Sequence, residues 1–187
     1  SFDELITITN SEDGKKFFLG FAHVINAMRK CPKIIICRVH GKAIGGGVGI
    51  AAAADYCMAT NYGTIKLSEL ALGIGPFVIG PAVERKIGLS AFSQLALNAT
   101  EWQTALWAKE KGLYHEVFDS IEQLDAYVDE LSQRLAATSS SALLALKQAL
   151  WHDTQHWDQL LEERAGISGR LVITEASQKA IRESKIV

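Results

Sequence analysis

The residue types best suited to chemistry lie in the run Lys42-Ala43-Ile44-Gly45-Gly46-Gly47-Val48-Gly49 and, further along, in Ser68-Glu69. Glycines allow positive φ and let main-chain N–H groups approach a ligand, because no Cβ intervenes. At the start of a helix those N–H groups have no internal partner, and the local dipole favours negative charge. The amide of Gly46 is therefore a candidate donor to an oxygen on which enolate charge develops, where losing one donor can cost about 3–4 kcal/mol. The same glycines also suit close helix packing or a phosphate cradle. A Walker loop needs Lys and then Ser or Thr after its glycines, whereas Val48-Gly49 follows here. Asp55 comes too early to be the ribose-binding acid of a dinucleotide fold. Glu69 is open to three readings: a turn or cap ligand, a surface charge, or a general base whose pKa is raised by desolvation.

Other residues carry less. His40 beside the glycine turn fits a buried, hydrogen-bonded histidine better than a catalytic one. His152 and His156 would share a helix face, but no Glu lies between them in the metalloprotease pattern, so no metal is expected. Asp55 suits an anchor for the corner at 54–56, and Glu84-Arg85-Lys86 reads as a solvated helix face. The four tryptophans fall in helical patterns and are expected in a core or an interface.

The elements that must position Gly46 and Glu69 can be read from periodicity. Residues 1–8 are a helical turn or a short extended piece, with Gly14 as an interruption. Phe17, Phe18, Phe21, Val24, Ile25 and Met28 then form one apolar stripe on a helix ending near Lys30, before Pro32. Residues 34–39 suit a buried parallel strand, the glycines a turn, and 48–54 a close-packed helix. Strands are expected at 56–59, 64–67 and 113–118, and Glu69 falls just past the second of these. Helices are expected at 82–87, 91–97 and 102–111, the last capped by Thr100. Ser120 caps a long amphipathic helix, and the remainder from 141 is helical with Gly166 and Gly169 as interruptions.

The chain has 187 residues, 48% of them apolar and 21% charged, which fits one α/β core with a helical continuation. With 19 Lys plus Arg against 21 Asp plus Glu and no like-charge run, neither nucleic acid nor a membrane surface is implied as partner. The charge-free stretches fall short of a membrane span of roughly 20 residues. Three cysteines, Cys31, Cys37 and Cys57, fit a reduced, cytoplasmic setting, and no signal peptide is visible. The absence of an initiator Met leads us to expect that Ser1 is not the natural start.

The order Val39-His40-Gly41-Lys42-Ala43-Ile44-Gly45-Gly46-Gly47-Val48-Gly49-Ile50, then Ala54-Asp55-Tyr56, then Ile65 to Ile74 with Glu69 inside it, resembles the enoyl-CoA hydratase/isomerase, or crotonase, superfamily. The segment 105–117 with Ala108, Gly112 and Leu113 is similar to the family's later helix-to-strand region. The resemblance implies a crotonase-like spiral of ββα units, with residues 1–118 as the later part of the α/β core and 119–187 as a helical oligomerisation region giving a homotrimer or homohexamer. It implies an acyl-CoA thioester as substrate and no separate cofactor, coenzyme A being part of the substrate. Gly46 would be one amide of the oxyanion hole, and Glu69 the second of the two glutamates of typical hydratases, which is also the base of Δ3,Δ2-enoyl-CoA isomerases. The other oxyanion amide would precede Ser1.

Where the hydratase pattern has its first glutamate, this chain has Gly49. The expectation from sequence ranks hydration of a 2-enoyl-CoA, or the reverse dehydration of a 3-hydroxyacyl-CoA, first. Isomerisation of a 3-enoyl-CoA comes close behind, since it needs one base only, and a noncatalytic acyl-CoA-binding or scaffold subunit is the third reading. Residues 74–79 would shape the acyl pocket, with Phe77 and Val78 excluding water.

Overall fold

The computed structural model describes residues 2–184. Its first elements are α1 (Phe2–Thr7) and α2 (Ser11–Lys30). Asn10 caps α2, its side chain accepting from the Asp13 N–H at 2.9 Å. Gly14 does not interrupt the chain as expected but lies inside α2, where a Cβ would come within 2.8 Å of the Gly169 backbone. Its lack of a side chain serves helix contact rather than helix termination.

The β-branched run gives β1 (Ile36–Val39), after which β2 (Ala43–Ile44) leads through the glycine turn into α3 (Gly46–Ala53). β3 (Tyr56–Thr60) and β4 (Ile65–Lys66) follow, then a 3-10 turn at Leu70–Leu72 and α4 (Gly80–Leu97). The two helices expected between 82 and 97 are one element kinked at Gly88, where φ is +76°.

α5 (Ala105–Glu110) is shorter than expected and is capped by Thr104, not Thr100. The reason is an antiparallel bridge: Gln103 and Ile65 exchange backbone bonds of 2.9 Å, which keeps the chain extended up to residue 103. β5 (Glu116–Phe118) also starts late, because the amides of Leu113 and Tyr114 turn back to the Ala108 carbonyl at the end of α5. The helices α6 (Ile121–Ala136), α7 (Ser140–Leu150), α8 (Trp157–Leu171) and α9 (Glu175–Ser184) complete the described chain. Gly166 and Gly169 sit within α8 without breaking it.

β1, β3 and β5 form a parallel sheet in the order β1-β3-β5, with Cys37 opposite Cys57 and Ala59 opposite Val117. β2 and β4 form a second parallel pair, Ala43 opposite Ile65 and Ile44 opposite Lys66. β3 is central, and its buried, nearly continuous apolar run is what a parallel strand covered on both faces requires. The main core gathers Val48 and three alanines of α3, Ile65 and Leu67 around β4, Val83 of α4 and Leu161 and Ala165 of α8. α8 lies along α2, and α9 packs on the Leu70–Leu72 turn and on α1.

Candidate active site

The parallel register of β2 and β4 determines where the glycine turn meets the carboxylate. Gly45 follows β2 and donates its N–H to the Lys66 carbonyl at 2.9 Å, which sets the turn beside the end of β4. Its φ of +52° is a left-handed conformation that favours glycine. The Gly45 carbonyl accepts from Val48 at 2.9 Å and Gly49 at 3.2 Å and so starts α3. The N–H groups of Gly46 and Gly47, in the first turn, have no acceptor among the described residues. That leaves donors at the positive end of an α-helix, where they can face an anionic oxygen.

Glu69 leaves β4 three residues after Lys66, and its carbonyl accepts from Leu72 and Ile74 to form the following turn. Its carboxylate lies against the glycine turn, since a Cβ on Gly45 would be 2.6 Å from Oε1. Oε2 is buried with no hydrogen-bond partner. Burial pushes the Glu69 carboxyl up from the ordinary 4.5 to about 7, with a bond from its own backbone amide opposing the shift. A carboxylate at that value is poised to take and return a proton near neutral pH.

Gly46 and Glu69 line one small pocket. The segment expected to shape it does so: Gly75, Pro76, Phe77, Val78 and Ile79 form one side. Phe18 and Phe21 of α2 and Ser168 of α8 form the other. These three were missed from sequence. The aromatic stripe of α2 was visible, but not which space it would wall, and Ser168 carries no local signal at all. The Phe21 ring occupies the volume a side chain at Gly46 would need, and Ile79 occupies the volume needed at Gly49. Ile79 thus leaves no room for a side chain at Gly49, and Glu69 is the single carboxylate lining the pocket among the described residues.

Several expectations away from the pocket need correction. His40 is exposed, not buried, because it lies just past β1, an edge strand; its ring lies 3.4 Å from Arg38 and its carbonyl accepts from Thr60. His152 and His156 do not share a helix face, since the first lies in the 3-10 turn His152–Thr154 and the second caps α8. Among the described residues, no group of three or more His, Cys, Asp or Glu is placed to hold a metal ion. The 84–86 run is not simply solvated: Arg85 lies over the Trp151 ring at 4.3 Å, and Lys86 turns inward toward the Asp55 carbonyl.

Asp55 does anchor its corner. It accepts from the Ile35 N–H at 2.8 Å, the Lys147 ammonium at 2.6 Å and the Trp151 indole at 2.7 Å. Trp151 and Trp157 are buried edge to face, while Trp102 has the Lys42 and Lys66 ammonium groups within 5 Å of its ring and is 37% exposed. No described helix is long and apolar enough to cross a membrane.

The chain is similar to known proteins along most of its length. It is 30% identical over 145 residues to a peroxisomal Delta(3,5)-Delta(2,4)-dienoyl-CoA isomerase of Arabidopsis thaliana, covering 75% of this chain and 51% of that protein. It is 36% identical over 119 residues to a 2,3-dehydroadipyl-CoA hydratase of Escherichia coli, covering 63% of this chain and 46% of that one. The chain thus spans about half the length of these curated relatives. Its fold superimposes on an enoyl-CoA hydratase from Bacillus halodurans with a TM-score of 0.86 at 20% identity, over 98% of this chain and 74% of that one. That likeness identifies the fold as crotonase-like. The enoyl-CoA hydratase/isomerase family pattern matches residues 5–186, and with the glycine turn, the Glu69 carboxylate and the fold in agreement, the chain belongs to that family.

Proposed function

We propose that this chain acts on an enoyl-CoA thioester as a one-base isomerase, moving the double bond between the 3,4 and 2,3 positions. Gly46 N–H donates to the thioester oxygen and stabilises the dienolate. Glu69 takes a proton from C2 and returns it to C4, so no second acid and no water are consumed. The observation that carries this reading is the contact of Ile79 with Gly49. It fills the place of a second carboxylate and leaves Glu69 alone with an apolar wall. This reverses the order expected from sequence, where hydration came first.

Hydration remains the second reading, supported by the unpartnered Glu69 Oε2, which could hold a water, and by the relative named as a hydratase. Assembly as a homotrimer or homohexamer belongs to the same proposal. Leu144, Leu146 and Leu150 of α7 are exposed and offer apolar surface for it, and sedimentation of the full-length protein tests it.

The deciding experiment supplies 3-enoyl-CoA and 2-enoyl-CoA of matched length in water labelled with heavy oxygen. Double-bond migration without label in the product is the expected result. Label at C3 as the main product overturns isomerisation in favour of hydration, and thioester binding without either product favours a noncatalytic role. Glu69→Gln should lower kcat by about 10²–10⁴-fold, the range for loss of a positioned proton-transfer group.

A further inference from the structure

Ser168 and Arg164 are four residues apart on α8, so they share a helix face and are separated by one turn, about 5.4 Å along the axis. Ser168, 1% exposed, lines the Glu69 pocket, while Arg164 lines the groove beside it. The two spaces have Gly75, Pro76 and Phe77 in common, and the Phe77 ring folds over Gly75 at their shared wall, 2.7 Å from where a Cβ would stand. The groove is the roomier of the two, and its walls include Leu70, Phe92 and Leu97.

In this apolar setting Arg164 is half-buried, yet its guanidinium has no carboxylate, carbonyl or ring partner among the described residues. Partly desolvating a charge without pairing it is unfavourable, and a guanidinium is shaped to bind a carboxylate through two parallel N–H···O bonds. Glu84 of α4 faces the same groove but is exposed and forms no ion pair with Arg164.

We propose that this groove seats the distal part of the acyl chain and that Arg164 pairs with a carboxylate at its far end, so that the preferred substrates are CoA thioesters of dicarboxylic acids. This rests on the reading that the thioester itself lies at Gly46 and Glu69. The apolar walls take the methylenes, Phe77 marks the passage from pocket to groove, and Arg164 holds the charged end in place. Glu84 opposes that charge from the solvent side and tempers the preference.

The test uses the full-length protein and two saturated ligands of equal length, adipyl-CoA and hexanoyl-CoA, whose binding is measured by calorimetry without any turnover. Adipyl-CoA should bind about tenfold or more tightly than hexanoyl-CoA, and the ratio should fall as salt is raised. Arg164→Gln should bring the ratio to within about twofold, Arg164→Lys should retain part of it, and Glu84→Gln should widen it. Equal or weaker binding of adipyl-CoA, or a ratio that survives Arg164→Gln, overturns the proposal. Turnover of the corresponding unsaturated pair is read separately: a retained binding ratio with no double-bond migration sinks the isomerase reading and leaves the carboxylate site standing.

Discussion

At the C-terminal end of α3, both oxygens of Asp55 are engaged by protein donors: the Ile35 amide just before β1, the Lys147 ammonium and the Trp151 indole. At the N-terminal end of the same helix, Glu69 rests against Gly45 and leaves Oε2 buried without a donor. Both are acidic groups taken out of water beside one alanine-rich helix, so burial does not distinguish them. The inventory of partners does. A carboxylate whose bonds are all made inside the chain is fixed in place and ties the entry to β1 to α7. A carboxylate with an unused oxygen facing a pocket still has bonding capacity for something the chain does not supply.

The contrast can be broken by substitution, and the largest expected effect is on turnover. Glu69→Gln should lower kcat by about 10²–10⁴-fold and at the same time stabilise the protein at pH 8 by about 1–3 kcal/mol, since it removes a charge held under desolvation. Denaturant melts and steady-state kinetics on the same sample check both halves, and a loss of stability would mean that Glu69 is a structural carboxylate like Asp55. Asp55→Ala should act in the opposite sense. Stranding the buried Lys147 ammonium should cost about 3–5 kcal/mol, read as a fall in the urea midpoint.

Smaller effects sharpen the picture. Gly49→Ala should cost about 1–3 kcal/mol by forcing Ile79 aside. If the pair Gly49→Ala with Ile79→Val recovers most of that loss, the contact seen here is its cause. The same carboxylate gives stability a pH dependence. The Glu69 pKa is raised from 4.5 to about 7, so its stabilising contribution is fully present below about pH 4.5 and is lost as pH rises through about 7. Between those limits wild type should lose stability relative to Glu69→Gln, while its proton-abstracting activity rises. A pH-independent difference between the two proteins would count against the burial of this carboxylate.

Much of this site was legible because its key parts are local. A β-branched run, a glycine cluster and a short alanine helix specify a strand, turn and helix in which Gly46 falls at the helix start, and Glu69 follows the next strand pair. What sequence did not convey is which distant groups close the space. Phe21 covers Gly46 from α2, Ile79 covers Gly49 from the start of α4, and Ser168 arrives from α8, and none of these meetings has a periodic or compositional signature. The misplaced cap at Thr100 has the same origin: a tertiary bridge from Gln103 to Ile65 overrode a good local helix start. Gly14, Gly166 and Gly169 read as breaks from propensity alone, whereas in α2 and α8 the surrounding helix tolerates them, and Gly14 and Gly169 are used for close approach.

That last contact has a consequence for how the site comes into being. Gly14 and Gly169 let two helix backbones touch, with a Cβ on Gly169 falling 2.7 Å from the Ser11 carbonyl oxygen. The helix on one side of this seam supplies the phenylalanines over the glycine turn, and the helix on the other supplies the serine beside Glu69. Two walls separated by some three quarters of the polypeptide are therefore fastened together, and the cleft cannot take shape until the late helix has docked on the early one. A larger residue at either glycine would wedge the seam apart and disturb acyl binding from a distance, without touching any group that meets the substrate.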